Sequence, residues 1–265
     1  MSTSWLTVPR NFMESLGEIF RFCTMVIGHV FSGRVFKYFG EALNQAGILV
    51  LGSTTVIFGL VFVIGLTCGI EGAYFNRSVG APAYAGVFAA WCDLREAIPY
   101  AFGYMLSAKV GTGIVAELGA MRISDEIDAL EVMGIKSISY LVSTRLVAAS
   151  VVIIPLYAMS LIMAFLAAQL TTTVLYGQSG GTYNHYFHTF LRPDDVFWSF
   201  VEVIIISVFV MINHCYFGYN ASGGPVGVGE AVGKSMRASL VLIQFVVLFA
   251  SLALYGTNPN FNLTV

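Results

Sequence analysis

The sequence predicts an all-α integral membrane protein. It would have an N-terminal interfacial amphipathic helix, five transmembrane helices, and a short cytoplasmic helix between the second and third crossings. Three observations predict this. Hydrophobic residues make up 57% of the 265-residue chain and charged residues only 11%, with a mean hydropathy of +0.79; soluble domains carry roughly 25% charged residues. Ile48–Ile70 is a chargeless apolar run, and a crossing takes about 20 such residues. Between two later apolar runs the chain turns abruptly acidic, with Glu117, Asp125, Glu126, Asp128 and Glu131 offset by Arg122. That charge load cannot stay in hydrocarbon, so the chain has left the bilayer there.

In chain order, residues 1–10 precede a helical pattern. Phe12, Leu16, Ile19, Phe20, Cys23, Ile27, Val30 and Phe31 form an apolar stripe, backed by Asn11, Glu14, Glu18 and Arg21. A helix of this kind lies in the membrane interface. The expected crossings are 48–70, 97–116, 140–170, 196–218 and 238–255. Glu71 to Pro82 reads as a turn, and 83–96 as a bent approach to the second crossing. Residues 171–195 read as an external loop with a short helix, and 219–234 as a Gly-rich loop. Pro155 is an expected kink. The whole chain reads as one domain: residues 1–40 interfacial, 41–256 in the membrane, and 257–265 an external tail. Ten basic residues, from Arg10 to Arg237, fall on one side and Arg77, Arg95 and Arg192 on the other. The positive-inside rule then puts the N-terminus in the cytoplasm and the C-terminus outside.

In the stretch 107–134, Ser107, Gly111 and Val115 share one helical face, and Ala108, Thr112 and Ala116 the next. Small residues every four positions let another membrane helix approach closely. Ser124 followed by Asp125 and Glu126 reads as an N-cap with anions at the positive end of the dipole. Ile127, Leu130 and Met133 recur every three residues, and Gly134 suits a C-terminal stop. On residues alone, this stretch is either a solvated loop or a short amphipathic helix held against a membrane helix.

The run AELGAMRISDEIDALEVMGI resembles the signature segment of the MlaE/YrbE permease family, the membrane subunits of Mce-type ABC lipid transporters. The likeness continues through Arg95, Glu96, Pro99, Lys109, Val110 and Gly111, and through GGPVGVGEAVGKSMRASLV, over roughly residues 45–255. IIPLYAMS and NPNFNLTV are most similar to actinobacterial B-type YrbE subunits. The chain departs from the family's frequent Arg at Lys109 and Gly at Ile98. The resemblance implies a permease subunit moving lipids or other hydrophobic molecules, with ATP hydrolysed in a cytoplasmic partner. It also implies an A-type sister permease and an external ring of Mce proteins. The acidic helix, with Glu117, Arg122, Asp125, Glu126, Ile127, Asp128, Leu130, Glu131 and Met133, would couple the ATPase to the membrane helices.

Other signals have plainer readings. GVGEAVGKS at 227–235 is similar to a P-loop, but the position needing the first glycine is Val228, and no strand precedes it. His185 and His188 lie three apart without a third ligand at diagnostic spacing. The expectation is no metal, no cofactor and no catalytic site. Cys23, Cys68, Cys92 and Cys215 form no C-x-x-C pair and read as small core residues, not a disulfide framework. A net charge of −2 offers no footprint for nucleic acid. Lys109 and Glu202 either line a polar substrate path or, in the case of Lys109, snorkel to the surface. A secondary transporter acting alone, a membrane scaffold and an integral lipid enzyme are the rival functions; no inverted repeat favours the first.

Overall fold

The computed structural model describes residues 4–256. Ten α-helices follow one another in it, joined or interrupted by short 3₁₀ and π-helical segments. Among the described residues, four helical stretches are long and apolar enough to cross a membrane: Phe39–Ser78, Ile138–Leu175, Pro193–Tyr219 and Gly224–Leu254. The missing crossing is interrupted. Residues 85–123 run helix, π segment, helix, π segment, helix: α3 (Ala85–Trp91), Cys92–Ala97, α4 (Ile98–Met105), Leu106–Gly111 and α5 (Thr112–Ile123). Asp93, Arg95, Glu96 and Lys109 sit on its two π segments. One-turn π bulges inside helices are frequent at functional sites.

The other elements are α1 (Ser4–Phe31), α2 (Phe39–Ser78), α6 (Glu126–Val132), α7 (Thr144–Leu170), α8 (Gly180–Phe190), α9 (Pro193–Tyr219) and α10 (Gly224–Tyr255). The five crossings alternate in direction. One end, called near below, gathers α1, α6, the starts of α2, α7 and α10 and the ends of α5 and α9. The far end gathers the α2–α3 turn, α8 and the start of α9.

Small residues set the closest helix approaches. A Cβ on Gly65 would lie 2.4 Å from the Ala164 carbonyl oxygen, and one on Gly69 would lie 2.9 Å from that of Ala168. Both helices advance four residues between contacts, so α2 and α7 run parallel with their backbones nearly touching. The predicted face of Ser107, Gly111 and Val115 behaves in the same way. Ser107 bonds His214, Gly111 faces the His214 ring, and Val115 packs on Gly218. The neighbouring face, Ala108, Thr112 and Ala116, points outward. Phe102, Tyr157 and Ile206 fill the centre of the bundle. The Tyr157 hydroxyl bonds Ser199, whose own hydroxyl donates to the Leu94 carbonyl at 2.8 Å.

Several sequence expectations are corrected. The second crossing is longer than 97–116 and takes in the bent approach at 83–96. Residues 71–78 continue α2 instead of turning, giving a helix about 60 Å long at 1.5 Å per residue, and only 79–84 connect it to α3. The Gly-rich loop at 219–234 is helical from Gly224. Pro225 pre-sets the first turn, and Ala231 and Ser235 bury against α9 and α5. Among the described side chains of α1, Phe22 and Val26 are buried, while Phe20 and Ile27 are exposed. The helix is rolled away from the expected stripe because it packs on Tyr216 of α9 and on the π segment Ile138–Ser143. The side chains of Phe12, Leu16 and Phe31, and the tail 257–265, lie outside the described residues. Cys68 and Cys92 form a disulfide across a separation of 24 residues, with Cα atoms 6.3 Å apart; Cys23 and Cys215 are free.

Candidate functional site

The acidic stretch folds into α6, a two-turn helix bound tightly to the near end. Its start differs from the expected cap. The Ser124 hydroxyl donates back to the Ala120 carbonyl at 2.9 Å, so it closes α5. Asp125 takes the N-cap position in the left-handed region, with φ of 58°, a conformation Asp tolerates better than most residues. The stop is as expected. Gly134 has φ of 79°; its N–H bonds Glu131 and the Ile135 N–H bonds Leu130, the paired bonds of a Schellman motif.

Four anchors fix α6. Ile127 is fully buried in the main core and Leu130 is half-buried against it. Arg122 donates to Asp128 at 2.6 Å. Ser137 donates to Glu131 at 2.6 Å, and its oxygen lies 2.8 Å from the Tyr219 hydroxyl. One turn into the bundle, the buried Arg145 guanidinium bonds Glu117 at 2.6 Å and the Leu141 carbonyl at 2.8 Å. α6 therefore touches the second crossing through Arg122, the third through Ser137 and the fourth through Tyr219.

This divides the predicted coupling residues in two. Ile127 and Leu130 face inward and fasten the helix. Asp125, Glu126, Asp128 and Glu131 face outward, as do Met133 and Val132, which are 66% and 89% exposed. The available apolar patch is thus Val132–Met133 at the end of the helix, and the sequence reading missed Val132. Its position off the three-residue repeat removed it from the predicted ridge.

Lys109 and Glu202 lie at different levels of the bundle. Lys109 is exposed on the second π segment. The flanking Ser107 meets His214, and His214 is twelve residues from Glu202 along α9, or about 18 Å. Glu202 is buried close to Glu96, at the far-end level. Sequence reasoning also missed a polar node at mid-bundle. His214 Nε2 lies 2.9 Å from the Ser107 hydroxyl and 3.1 Å from that of Ser239, and the Asn213 amide donates to the Ser235 carbonyl and the Ser239 hydroxyl. The node ties the second π segment to α9 and α10.

At the far end a cavity of about 720 Å³ opens between α2 and residues 81–96. Phe75, Val79, Val87, Phe88 and Trp91 give it apolar walls, and Asn76, Arg95 and Glu96 supply polar groups. Arg95 is held by Asp195 of α9 at 2.8 Å. No local spacing announces this pair, which is separated by 100 residues.

The P-loop-like segment 227–235 lies within α10, where its backbone N–H groups serve the helix and form no phosphate cradle. Lys234 pairs with Glu230 at 2.9 Å, four residues back on the same helix. Lys234→Ala is therefore expected to leave ATP hydrolysis by an assembled complex within about twofold of the parent, since an exposed pair of this kind contributes little. Loss of hydrolysis with normal assembly would contradict this.

Comparison with known proteins adds identity to this geometry. Residues 42–253 match the permease MlaE family. The chain is 29% identical over 198 residues to the chloroplastic protein Trigalactosyldiacylglycerol 1 of Arabidopsis thaliana, covering 75% of this chain and 54% of that protein. The chain thus spans about half the length of that plant relative. It is 30% identical over 233 residues to a probable ABC transporter permease protein of Rickettsia felis, covering 88% and 89% of the two chains. A probable ABC transporter permease protein of Synechocystis is 25% identical over 233 residues, with 88% of each chain covered. With the family match running from the start of the first crossing to the end of the last, this multi-pass membrane protein belongs to the MlaE permease family.

Proposed function

We propose that the chain is the permease subunit of an Mce-type ABC transporter. It would move lipids or other hydrophobic molecules across a cell membrane, driven by ATP hydrolysis in a partner. The observation that carries this reading is the way α6 is built. It is an exposed acidic helix with an apolar tip, fastened by the buried Ile127 and by polar contacts to three membrane crossings. A force applied there by a soluble partner reaches the crossings without being lost in a loose linker. The far-end cavity supports a lipid cargo, because an amphiphile needs apolar walls beside a charged group. The naming of a plant relative for a galactolipid points the same way.

In this reading the near end faces the cytoplasm. Lys37, Arg122, Lys136, Arg145, Lys234 and Arg237 lie there, against Arg77, Arg95 and Arg192 at the far end. The near-end surface receives the ATPase. The far end hands lipid to an Mce ring, and the second permease is an A-type sister subunit. Isolation from native membranes tests the reading: an ATPase, a sister permease and bound lipid should come with the chain. Isolation as a lone, fully active carrier would support the secondary-transporter alternative instead.

A further inference from the structure

The disulfide joins α2 to the first π segment at the edge of the far-end cavity. Cys68 is buried on α2, while Cys92 is half-buried and lines the cavity. The next residue, Asp93, has no exposed surface, and neither carboxylate oxygen has a hydrogen-bond partner. One carboxylate oxygen of Asp93 and both sulfurs lie within 4.8 Å of one another. A buried carboxylate without a partner is costly and calls for a role. The bond also joins opposite walls of one space: Phe75 and Asn76 follow Cys68 on α2, and Trp91 and Arg95 flank Cys92. Beyond it, α2 and α3 touch where Gly72 meets the Phe88 ring.

We propose that Cys68, Cys92 and Asp93 form a redox-active site that locks and releases the wall of this cavity. The chemistry is thiol–disulfide exchange with a small thiol or a protein dithiol. A thiolate reaching the cavity attacks Cys92 Sγ, the sulfur on the cavity side. The S–S bond breaks and Cys68 leaves as a thiolate, taking a proton from Asp93 in its carboxylic-acid form. A second thiolate attacks the incoming sulfur of the mixed disulfide. It releases Cys92 as a thiolate, which solvent in the cavity protonates. Asp93 regains its proton from solvent in the cavity, so the net product is one external disulfide and two protein thiols, and atoms, protons and electrons balance. Freed of the bond, residues 85–97 keep only noncovalent contacts with α2. The placement beside a lipid cavity rests on the function proposed above; the chemistry and the clamp do not.

The test uses the full chain in lipid nanodiscs, read by thiol alkylation with mass spectrometry and by amide hydrogen exchange. Without reductant, Cys68 and Cys92 resist alkylation. A small impermeant phosphine or dithiol added to the folded protein frees both. Amide exchange in residues 85–97 then rises about tenfold, which corresponds to loosening of a local unit and not to global unfolding. Cys68→Ser/Cys92→Ser reproduces that rise without reductant, and Asp93→Asn slows dithiol reduction about tenfold, as loss of a proton donor would. None of these readouts needs bound lipid, so they stand or fall separately from the transport reading. Free thiols before reduction, a bond reducible only after denaturation, or unchanged exchange in 85–97 on reducing the parent would each overturn the proposal. Zinc bound stoichiometrically to the reduced protein and shielding both thiols would overturn it in favour of a metal site. Unchanged reduction of Asp93→Asn would overturn the role given to Asp93.

Discussion

Gly65→Val is expected to prevent stable assembly of the membrane core. The added Cβ would start 2.4 Å from the Ala164 carbonyl oxygen and 2.7 Å from its Cα. Those atoms are backbone inside a continuous helix, so no rotamer change relieves the clash. α2 and α7 must separate, and Gly69, one turn along, loses its contact with Ala168 at the same time. Overpacking in a core costs about 1–3 kcal/mol where side chains can shift; here the cost is expected at or above the top of that range. Gly59→Val on the same helix is the control, because a Cβ there meets nothing within 4 Å. Size-exclusion profiles after stepwise heating will separate the two. The Gly65 variant should lose its monodisperse peak well below the parent's midpoint, with the Gly59 variant close to the parent.

The second large effect concerns the Glu117–Arg145 pair, and it is asymmetric. Arg145 is 3% exposed at its side chain and Glu117 52%. Glu117→Ala leaves a buried guanidinium with the Leu141 carbonyl as its remaining acceptor among the described residues. Stranding a buried charge costs about 3–5 kcal/mol when its partner is also buried. The half-exposed carboxylate of Glu117 lowers the expectation to about 2–4 kcal/mol. Arg145→Met removes the buried charge, fills similar volume and leaves Glu117 in water. It is expected to change stability by under about 1 kcal/mol. Thermal stability measured on both variants checks the order; equal losses would mean that the pair acts as an ordinary surface bridge.

The sequence made the close-packed face at Ser107, Gly111 and Val115 legible because small residues at helical spacing have one physical use in a bilayer. It also made the extent of α6 legible, since acids, a three-residue apolar repeat and Gly134 mark both ends of a helix. The rotation of α1 and the split of the α6 ridge were not legible. Against lipid, an apolar side chain is at home on either face, so hydropathy does not tell Phe20, which is exposed, from Phe22, which is buried. The extent of α10 was hidden by glycine, which weakens a helix by about 1 kcal/mol relative to Ala but permits it where packing against α9 compensates. The far-end groups were the least visible. Arg95 and Asp195, Glu96 and Glu202, and Cys68 and Cys92 are brought together by the path of the whole bundle, and no local motif pairs them.

We propose that α6 is the docking surface for a partner ATPase. Its apolar tip is Val132 and Met133, not the inward-facing Leu130. A desolvated apolar contact with a polar rim concentrates binding energy in a few residues. Val132→Asp/Met133→Asp changes only exposed side chains and is expected to leave the thermal stability of the isolated permease unchanged. Asp125→Lys/Asp128→Lys reverses the rim. The direct measurement is the amount of ATPase that co-purifies with each variant from native membranes, together with lipid transport. The account predicts that Val132→Asp/Met133→Asp lowers the recovered ATPase by at least about tenfold, as loss of a hot spot near 2 kcal/mol would, that Asp125→Lys/Asp128→Lys weakens it, and that transport falls in parallel. Normal recovery of the ATPase and normal transport in both variants would contradict the account and leave α6 as no more than a solvated connection.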